Sequence, residues 1–157
     1  MIWVPLELKI LAEKVGFLSP EVAIGWRVGD LFRRELIRQG KKIEDHMVVS
    51  YNGLPGNQVL SLMGFRLMVE DLGEHVYSLC DSQGQPHLMV SVRLRHLLPE
   101  EGFIQLEKRI AHFEAEPAER EEYLLALDRW VSQIILASDG ELFRREKADQ
   151  DYLCLAP

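Results

Sequence analysis

The sequence predicts one α+β domain, in which helices cover an antiparallel sheet of three or four strands. Two observations favour this class. The 157 residues are 47% hydrophobic, which is enough for one sizeable core. Apolar residues recur at helical spacing towards both ends of the chain but alternate in its middle. We expect an N-terminal helix pair, the sheet and a C-terminal helix pair within residues 1–140, and a tail over 141–157 that forms a short helix before a loose end.

Residue types typical of helix ends predict the bounds of the N-terminal helix pair. Residues 5 to 15 carry aliphatic side chains on a helical pattern, and Gly16 is placed to end that helix. Ser19 is a favourable N-cap and Pro20 a favourable first helical residue, with an acid following in the first turn. We expect the second helix to extend to Gly40.

The second helix is predicted to have one buried and one solvated side. Its apolar side includes Gly25 and Gly29, whose spacing of four predicts that another helix approaches closely. We expect Asp30 to pair with the arginine four residues later. The opposite side is predicted to be solvated and basic, and carries Arg27, Arg34, Arg38 and Lys41.

Alternation predicts the sheet in the middle of the chain. The expected strands cover residues 47–51, 65–71, 75–81 and 87–97, separated by turn residues, with 59–63 joining the second strand through a bulge at Gly64. Leu88, Val90 and Val92 share one face, which we expect to be buried in an antiparallel meander. Met68 and Met89 fall on the opposite face, where a second chain would find apolar contacts.

After Pro99 the apolar residues again recur at helical spacing. One apolar stripe runs from Phe103 to Phe113 and is stopped by Pro117. A second stripe runs from Tyr123 to Ile134 and is followed by Gly140. These stripes predict the C-terminal helix pair within residues 100–139.

Charge and targeting signals narrow the class of protein. The net charge is −7, and residues 99–157 hold seven Lys or Arg against fourteen Asp or Glu. An acidic surface repels phosphate backbones, so this part of the chain is not expected to bind nucleic acid. The start of the sequence lacks a signal-peptide pattern, and the apolar runs are too short to cross a bilayer. Two cysteines form no disulfide framework. We therefore expect a cytoplasmic protein without membrane contact.

Residues 11–42 resemble a helix-turn-helix motif. Ala12, Gly16 and Val22 stand where such motifs often place a small residue, a turn glycine and a buried aliphatic residue. This leaves open a DNA-binding transcription regulator that uses residues 8–41, with nucleic-acid contacts from the basic side of the second helix. The first two turns of that helix, however, offer Ala23 and Ile24 rather than base-reading side chains, which disfavours this alternative.

The sequence contains no recognisable catalytic or metal-binding motif. His75 and His87 could face each other across a hairpin, but two ligands do not make a metal site. The common nucleophile and nucleotide-binding motifs are missing, although catalytic residues can be scattered along a chain. We expect no cofactor, no metal and no catalysis, and keep an enzyme without a local motif as a second alternative.

The leading functional hypothesis is a small protein-binding module of adaptor, chaperone-like or inhibitory type that forms a homodimer. Complementary charge speeds association, so an acidic face predicts a partner with a basic surface. The C-terminal helix pair would supply that face through Glu107, Glu114, Glu119, Glu122 and Asp128. Met68 and Met89 would add an apolar contact.

Overall fold

A computed structural model describes residues 2–147 of the chain. The helices are α1 (Leu6–Val15), α2 (Pro20–Arg38), α3 (Gly56–Leu62), α4 (Leu94–Leu97), α5 (Phe103–Ala111), α6 (Pro117–Leu136) and α7 (Asp139–Leu142). The strands are β1 (His46–Ser50), β2 (Arg66–Val69), β3 (Val76–Asp81), β4 (Pro86–Val92) and β5 (Phe143–Glu146). The predicted α+β class is confirmed.

The five strands form one sheet in the order β2-β1-β3-β4-β5. β1 and β2 run parallel, and Val48 pairs with Leu67. The other neighbouring strands in the sheet are antiparallel. In the pair of β1 and β3, Val48 lies opposite Leu79. The predicted antiparallel meander is therefore correct for β3 and β4, but the sheet has one parallel pair and one strand more than expected.

The N-terminal helices begin and end as their sequence predicts. Gly16 has a φ of 110°, a left-handed conformation that suits glycine, and its N–H donates to the carbonyl of Ala12. The Ser19 hydroxyl accepts a hydrogen bond from the backbone N–H of Val22 at 3.2 Å. These local contacts fix the angle at which α2 leaves the turn.

The segment after β1 differs from the prediction. Residues 59–63 were expected to continue a strand, but Gly56–Leu62 is helix α3 and makes the crossover between the parallel strands β1 and β2. Val59 and Leu60 are fully buried in the main core. Packing against α2 explains this difference, since a short apolar run takes the conformation that buries it best.

The end of the domain also differs from the prediction. Residues 143–146 were assigned to a tail, yet they form β5, the edge strand beside β4, and Phe143 pairs with Val92. Phe143 is 4% exposed and belongs to the main core, which holds this strand on the sheet. The strand predicted over 87–97 ends at Val92, and α4 follows it. The rest of the expected tail, residues 148–157, lies outside the described residues.

The sheet is apolar on both faces. The main core lies between one face and helices α1, α2, α3 and α6. The other face, called here the second sheet face, carries a separate buried cluster of Val49, Tyr51, Val76, Cys80 and Met89, with Met47 and Met68 packed against it. In the described residues, no helix is both long and apolar enough to cross a membrane.

Candidate functional site

A group of polar side chains gathers at the start of α2. Glu21 comes from the first turn of that helix, Asn52 and Asn57 from the segment between β1 and α3, and His75 and Tyr77 from the start of β3. We call these five residues the Glu21 cluster. The topology brings them together, because the end of β1 and the beginning of the central strand β3 lie side by side in the antiparallel pair.

Two glycines allow α2 and α3 to approach closely beside this cluster. A Cβ atom added at Gly25 would lie 2.5 Å from the carbonyl oxygen of Gly56. A Cβ atom at Gly56 would lie 2.7 Å from the carbonyl oxygen of Glu21. The predicted close approach at Gly25 is therefore confirmed, and it brings the backbone of Glu21 against the start of α3. At Gly29 an added Cβ atom would meet the side chain of Met63.

Asn52 holds the cluster together through hydrogen bonds. Its side-chain amide donates to the carbonyl of Glu74 at 3.1 Å, and its side-chain oxygen accepts from the N–H of Leu54 at 3.1 Å. Its own carbonyl accepts from the side-chain amide of Asn57 at 2.7 Å. The Tyr77 hydroxyl also bonds to the Asn52 side chain. Asn52 is 2% exposed, so the loop is anchored from within.

Two buried atoms of the cluster lack a hydrogen-bond partner among the described residues. They are Nδ1 of His75 and Oδ1 of Asn57. Buried polar atoms are nearly always paired, so these two atoms can each bond to an ordered water or to a ligand. His75, Asn57 and Glu21 are each half-buried, which leaves the cluster open to solvent on one side.

The electrostatics of the cluster favour neutral rings beside one carboxylate. Burial lowers the pKa of His75 below 6.5, and the charge of Glu21 opposes part of this shift. Burial raises the pKa of Tyr77 to about 12, which its hydrogen bond to Asn52 partly opposes. At neutral pH the cluster therefore offers an uncharged imidazole, an uncharged phenol and a carboxylate. This set can bind N–H and O–H groups, and His75 can accept a proton.

The predicted basic side of α2 is only partly solvated. Arg27 is 6% exposed, and its Nη1 donates to the carbonyls of Ile134, Ile135 and Ala137 at 2.6, 3.2 and 2.6 Å. Its Nη2 donates to Asp139 at 3.1 Å. The expectation that Arg27 lies in solvent is wrong, because the last carbonyls of α6 need a donor and a positive charge favours a helix C-terminus.

The other residues of that basic side remain at the surface. Arg34 binds Asp30 at 2.9 Å, as predicted, and also binds Asp139 at 2.8 Å. Arg38 pairs with a glutamate on its own helix. The Nζ of Lys41 lies 3.3 Å from Nε2 of His87. The ion pairs of both arginines offset the positive charge that DNA binding would need.

The acidic residues predicted to bind a partner lie on α5, on α6 and in the turn between these helices. Glu107, Glu114 and Glu122 are exposed, whereas Asp128 is half-buried. Glu119 is half-buried and binds Arg109 at 2.6 Å. Three of the five carboxylates are thus open to solvent, and the structure leaves their contacts with a partner untested.

The outer side of α6 also carries two exposed leucines that the sequence did not single out. Leu124 is 58% exposed and Leu125 is 48% exposed. With Glu121 and Asp128 they form a stripe at positions i, i+3, i+4 and i+7, here called the α6 stripe. A cavity of about 350 Å³ beside it is lined partly by Leu125 and Asp128. The helical spacing of these residues could have indicated the α6 stripe from the sequence. The longer apolar stripe from Tyr123 to Ile134, which packs inward, obscured it.

The two methionines differ in exposure. Met89 is 2% exposed, and Met68 is half-buried beside it on the second sheet face. Met89 is therefore not accessible to a partner in this structure, contrary to the expected contact surface.

The histidines do not converge as the sequence suggested. His75 stands at the start of β3 and His87 pairs near its other end, so they do not face each other across the hairpin. His87 instead lies beside His46, with ring centroids 5.2 Å apart. Within residues 2–147, no group of three or more His, Cys, Asp or Glu side chains is arranged to hold a metal ion.

Comparison with known proteins identifies a family. Residues 15–144 match the model of the FmdE family, described as "Molybdenum formylmethanofuran dehydrogenase operon". No curated protein matches the chain. The description connects the family with the operon of an enzyme, which is consistent with protein partners. The hypothesis of a general adaptor, with a transcription regulator as its alternative, is therefore wrong. The match includes the whole Glu21 cluster and the α6 stripe and covers most of the sequence, so the chain belongs to the FmdE family.

Proposed function

We propose that this chain is an accessory protein of an enzyme system of the formylmethanofuran dehydrogenase type, and that it catalyses no reaction itself. Family membership supports the connection with such an enzyme. The α6 stripe is the observation that carries the physical argument, because it gives this protein a surface suited to a subunit of that enzyme.

The α6 stripe combines apolar area with negative charge. Leu124 and Leu125 expose about half of their surface, and Glu121 and Asp128 flank them on the same side of the helix. Apolar side chains grouped on a surface mark interaction sites, and a charged rim selects the partner and speeds association. We therefore expect the enzyme subunit to present apolar residues ringed by Lys or Arg. Glu107, Glu114 and Glu122 would contact the edge of that basic surface.

Co-expression with the subunits of a formylmethanofuran dehydrogenase tests the proposal. The double variant Leu124→Asp/Leu125→Asp should reduce co-purification of the enzyme by about tenfold or more, since about 1.4 kcal/mol of lost binding free energy is a factor of ten. Ile37→Asp is the control, because Ile37 is 68% exposed and lies on α2 rather than on α6. Equal losses in both variants, or no loss in the double variant, would refute docking through α6.

A second candidate function is binding of a small polar ligand at the Glu21 cluster. The unpaired atoms of His75 and Asn57 favour it, since a ligand with N–H or O–H groups would satisfy both. The protein would then hold such a molecule for its enzyme. Ligand-induced shifts of the His75 and Asn57 side-chain NMR signals, screened against small amides, amines and alcohols, would test this, and Glu21→Gln should weaken a cationic hit.

Three expectations from the sequence stay predictions beside this proposal. They are the cytoplasmic location, the homodimer and the basic character of the partner. Sizing of the purified protein without its enzyme tests the dimer directly. A monomer at micromolar concentration would contradict that prediction without affecting the proposed enzyme contact.

A further inference from the structure

A cavity of about 280 Å³ opens where α2, α7 and the edge of the sheet meet. Its apolar wall comes from Leu31 of α2, Val90 of β4 and Phe143 of β5, which are buried members of the main core. At about 30 Å³ for each water, the cavity has room for roughly nine waters, which is the volume of a small organic molecule. It shares no residue with the Glu21 cluster or with the α6 stripe.

Arg145 lines this cavity from the edge strand. It lies opposite Val90 in the pairing of β4 and β5 and two residues after Phe143, so its side chain leaves the sheet on the same face as these core residues. Its charge reaches Glu35, but Arg38 already binds that carboxylate at 2.6 Å. Within residues 2–147, the guanidinium of Arg145 has no hydrogen bond or ion pair of its own.

Arg93 lines the cavity from the end of β4 and is held in place by the chain around α7. Its backbone N–H donates to the carbonyl of Leu142 at 2.8 Å, and its Nε donates to the carbonyl of Gly140 at 3.0 Å. Its Nη1 and Nη2 atoms have no partner in the part of the chain that the structure describes. A guanidinium that is fixed at one edge and free at its end is prepared to bind a carboxylate with two parallel hydrogen bonds.

The one carboxylate that lines the cavity is already neutralised. Asp139 binds Arg27 at 3.1 Å and Arg34 at 2.8 Å, so two guanidinium groups offset its single charge. The charges of Arg93 and Arg145 therefore remain uncompensated at the cavity, although the whole chain has a net charge of −7. An anion fits this site, and a cation does not.

We propose that the cavity binds a small monocarboxylate. The carboxylate group lies between Arg93 and Arg145, and the short apolar chain packs against Leu31, Val90 and Phe143. Hydrogen bonds between two charged groups are roughly twice as strong as neutral ones, which supplies the affinity for the acid group. The apolar wall favours an aliphatic acid over inorganic phosphate or a dicarboxylate, because those anions would place a charge against it. This site is separate from the proposed enzyme contact on α6, and either can fail without the other.

An NMR titration of the full-length protein with sodium butyrate tests the proposal. The methyl groups of Leu and Val carry the isotope label, and sodium chloride keeps the ionic strength constant. The methyl signals of Leu31 and Val90 should shift and saturate. Arg145→Gln should weaken butyrate binding about tenfold, the loss expected for one hydrogen bond between charged groups. Butyrate should bind about tenfold more tightly than acetate, since two further methylene groups leave water.

Arg144→Gln is the matched control for Arg145→Gln. Arg144 is the preceding residue of β5, leaves the sheet on the opposite face and binds Glu146 at 2.9 Å, so its loss should not change the affinity. Circular dichroism verifies the fold of both variants. Equal losses in the two variants would assign the effect to general charge attraction and overturn the proposal. Butyramide, succinate or phosphate binding as tightly as butyrate, or unchanged signals of Leu31 and Val90, would overturn it as well.

Discussion

Replacement of Arg27 by methionine should remove much of the stability of this protein. Methionine fills a similar volume but leaves the carbonyls of Ile134, Ile135 and Ala137 without their donor. Removal of one partner from a buried charged network typically costs about 3–5 kcal/mol of unfolding free energy. Domains are stable by only about 5–15 kcal/mol, so the loss is a large fraction of the total.

Arg34→Met is the matched control for this prediction. Arg34 binds the same Asp139, but its side chain is 49% exposed, so its loss should cost about 0.5–1 kcal/mol. Urea unfolding at 25 °C, monitored by circular dichroism, measures the loss of unfolding free energy in both variants. For a domain of this size we expect Tm to fall by roughly 10 °C in Arg27→Met and by a few degrees in the control. A loss below about 1 kcal/mol in Arg27→Met, or equal losses in both variants, would refute the role of Arg27 as the buried C-cap of α6.

Three further predictions address the glycine contact, the pH dependence and the cap of α2. Gly25→Ala should cost about 1–3 kcal/mol in urea unfolding, because its Cβ atom would meet backbone 2.5 Å away, whereas Gly140→Ala has open space and should be neutral; equal effects would contradict the close approach. Burial lowers the pKa of His75 below 6.5, so its contribution to stability is present above pH 6.5 and lost as the pH falls through the folded pKa; His75→Asn should flatten the fall in urea midpoint as the pH decreases below 6.5, and an unchanged slope would count against this. Ser19→Ala should cost about 1 kcal/mol and the exposed Ser61→Ala little, measured by thermal unfolding; a neutral Ser19 variant would show that its cap is dispensable.

Features set by neighbouring residues could be predicted from the sequence. The N-cap at Ser19 and the end of α1 at Gly16 depend on contacts within one or two turns, so local residue types determine them. The buried side of α2 follows from periodicity, and Gly25 and Gly29 were correctly expected to meet another helix. The α+β class follows from the change of period along the chain.

Features set by distant contacts could not be predicted in this way. The short apolar run at Val59 is helical because α2 offers it a surface, and Phe143 starts a strand because β4 has a free edge. A helical wheel places Arg27 opposite the apolar side, but it cannot show that the end of α6 lies there. The Glu21 cluster likewise joins positions from Glu21 to Tyr77 that share no spacing. Only the fold brings them together.

The contact between Arg27 and the end of α6 joins residues more than one hundred positions apart, so it can form only after most of the chain has been synthesised. A ribosome that has made only the first 130 residues has not yet supplied the carbonyls and the Asp139 carboxylate that bind this guanidinium, nor the edge strand that completes the sheet. The N-terminal helices therefore remain partly assembled, with the charge of Arg27 uncompensated, until the end of α6 is synthesised. Contacts of such long sequence separation slow folding. Nascent chains stalled before Ile134 should for this reason depend on chaperones more than chains stalled after Lys147.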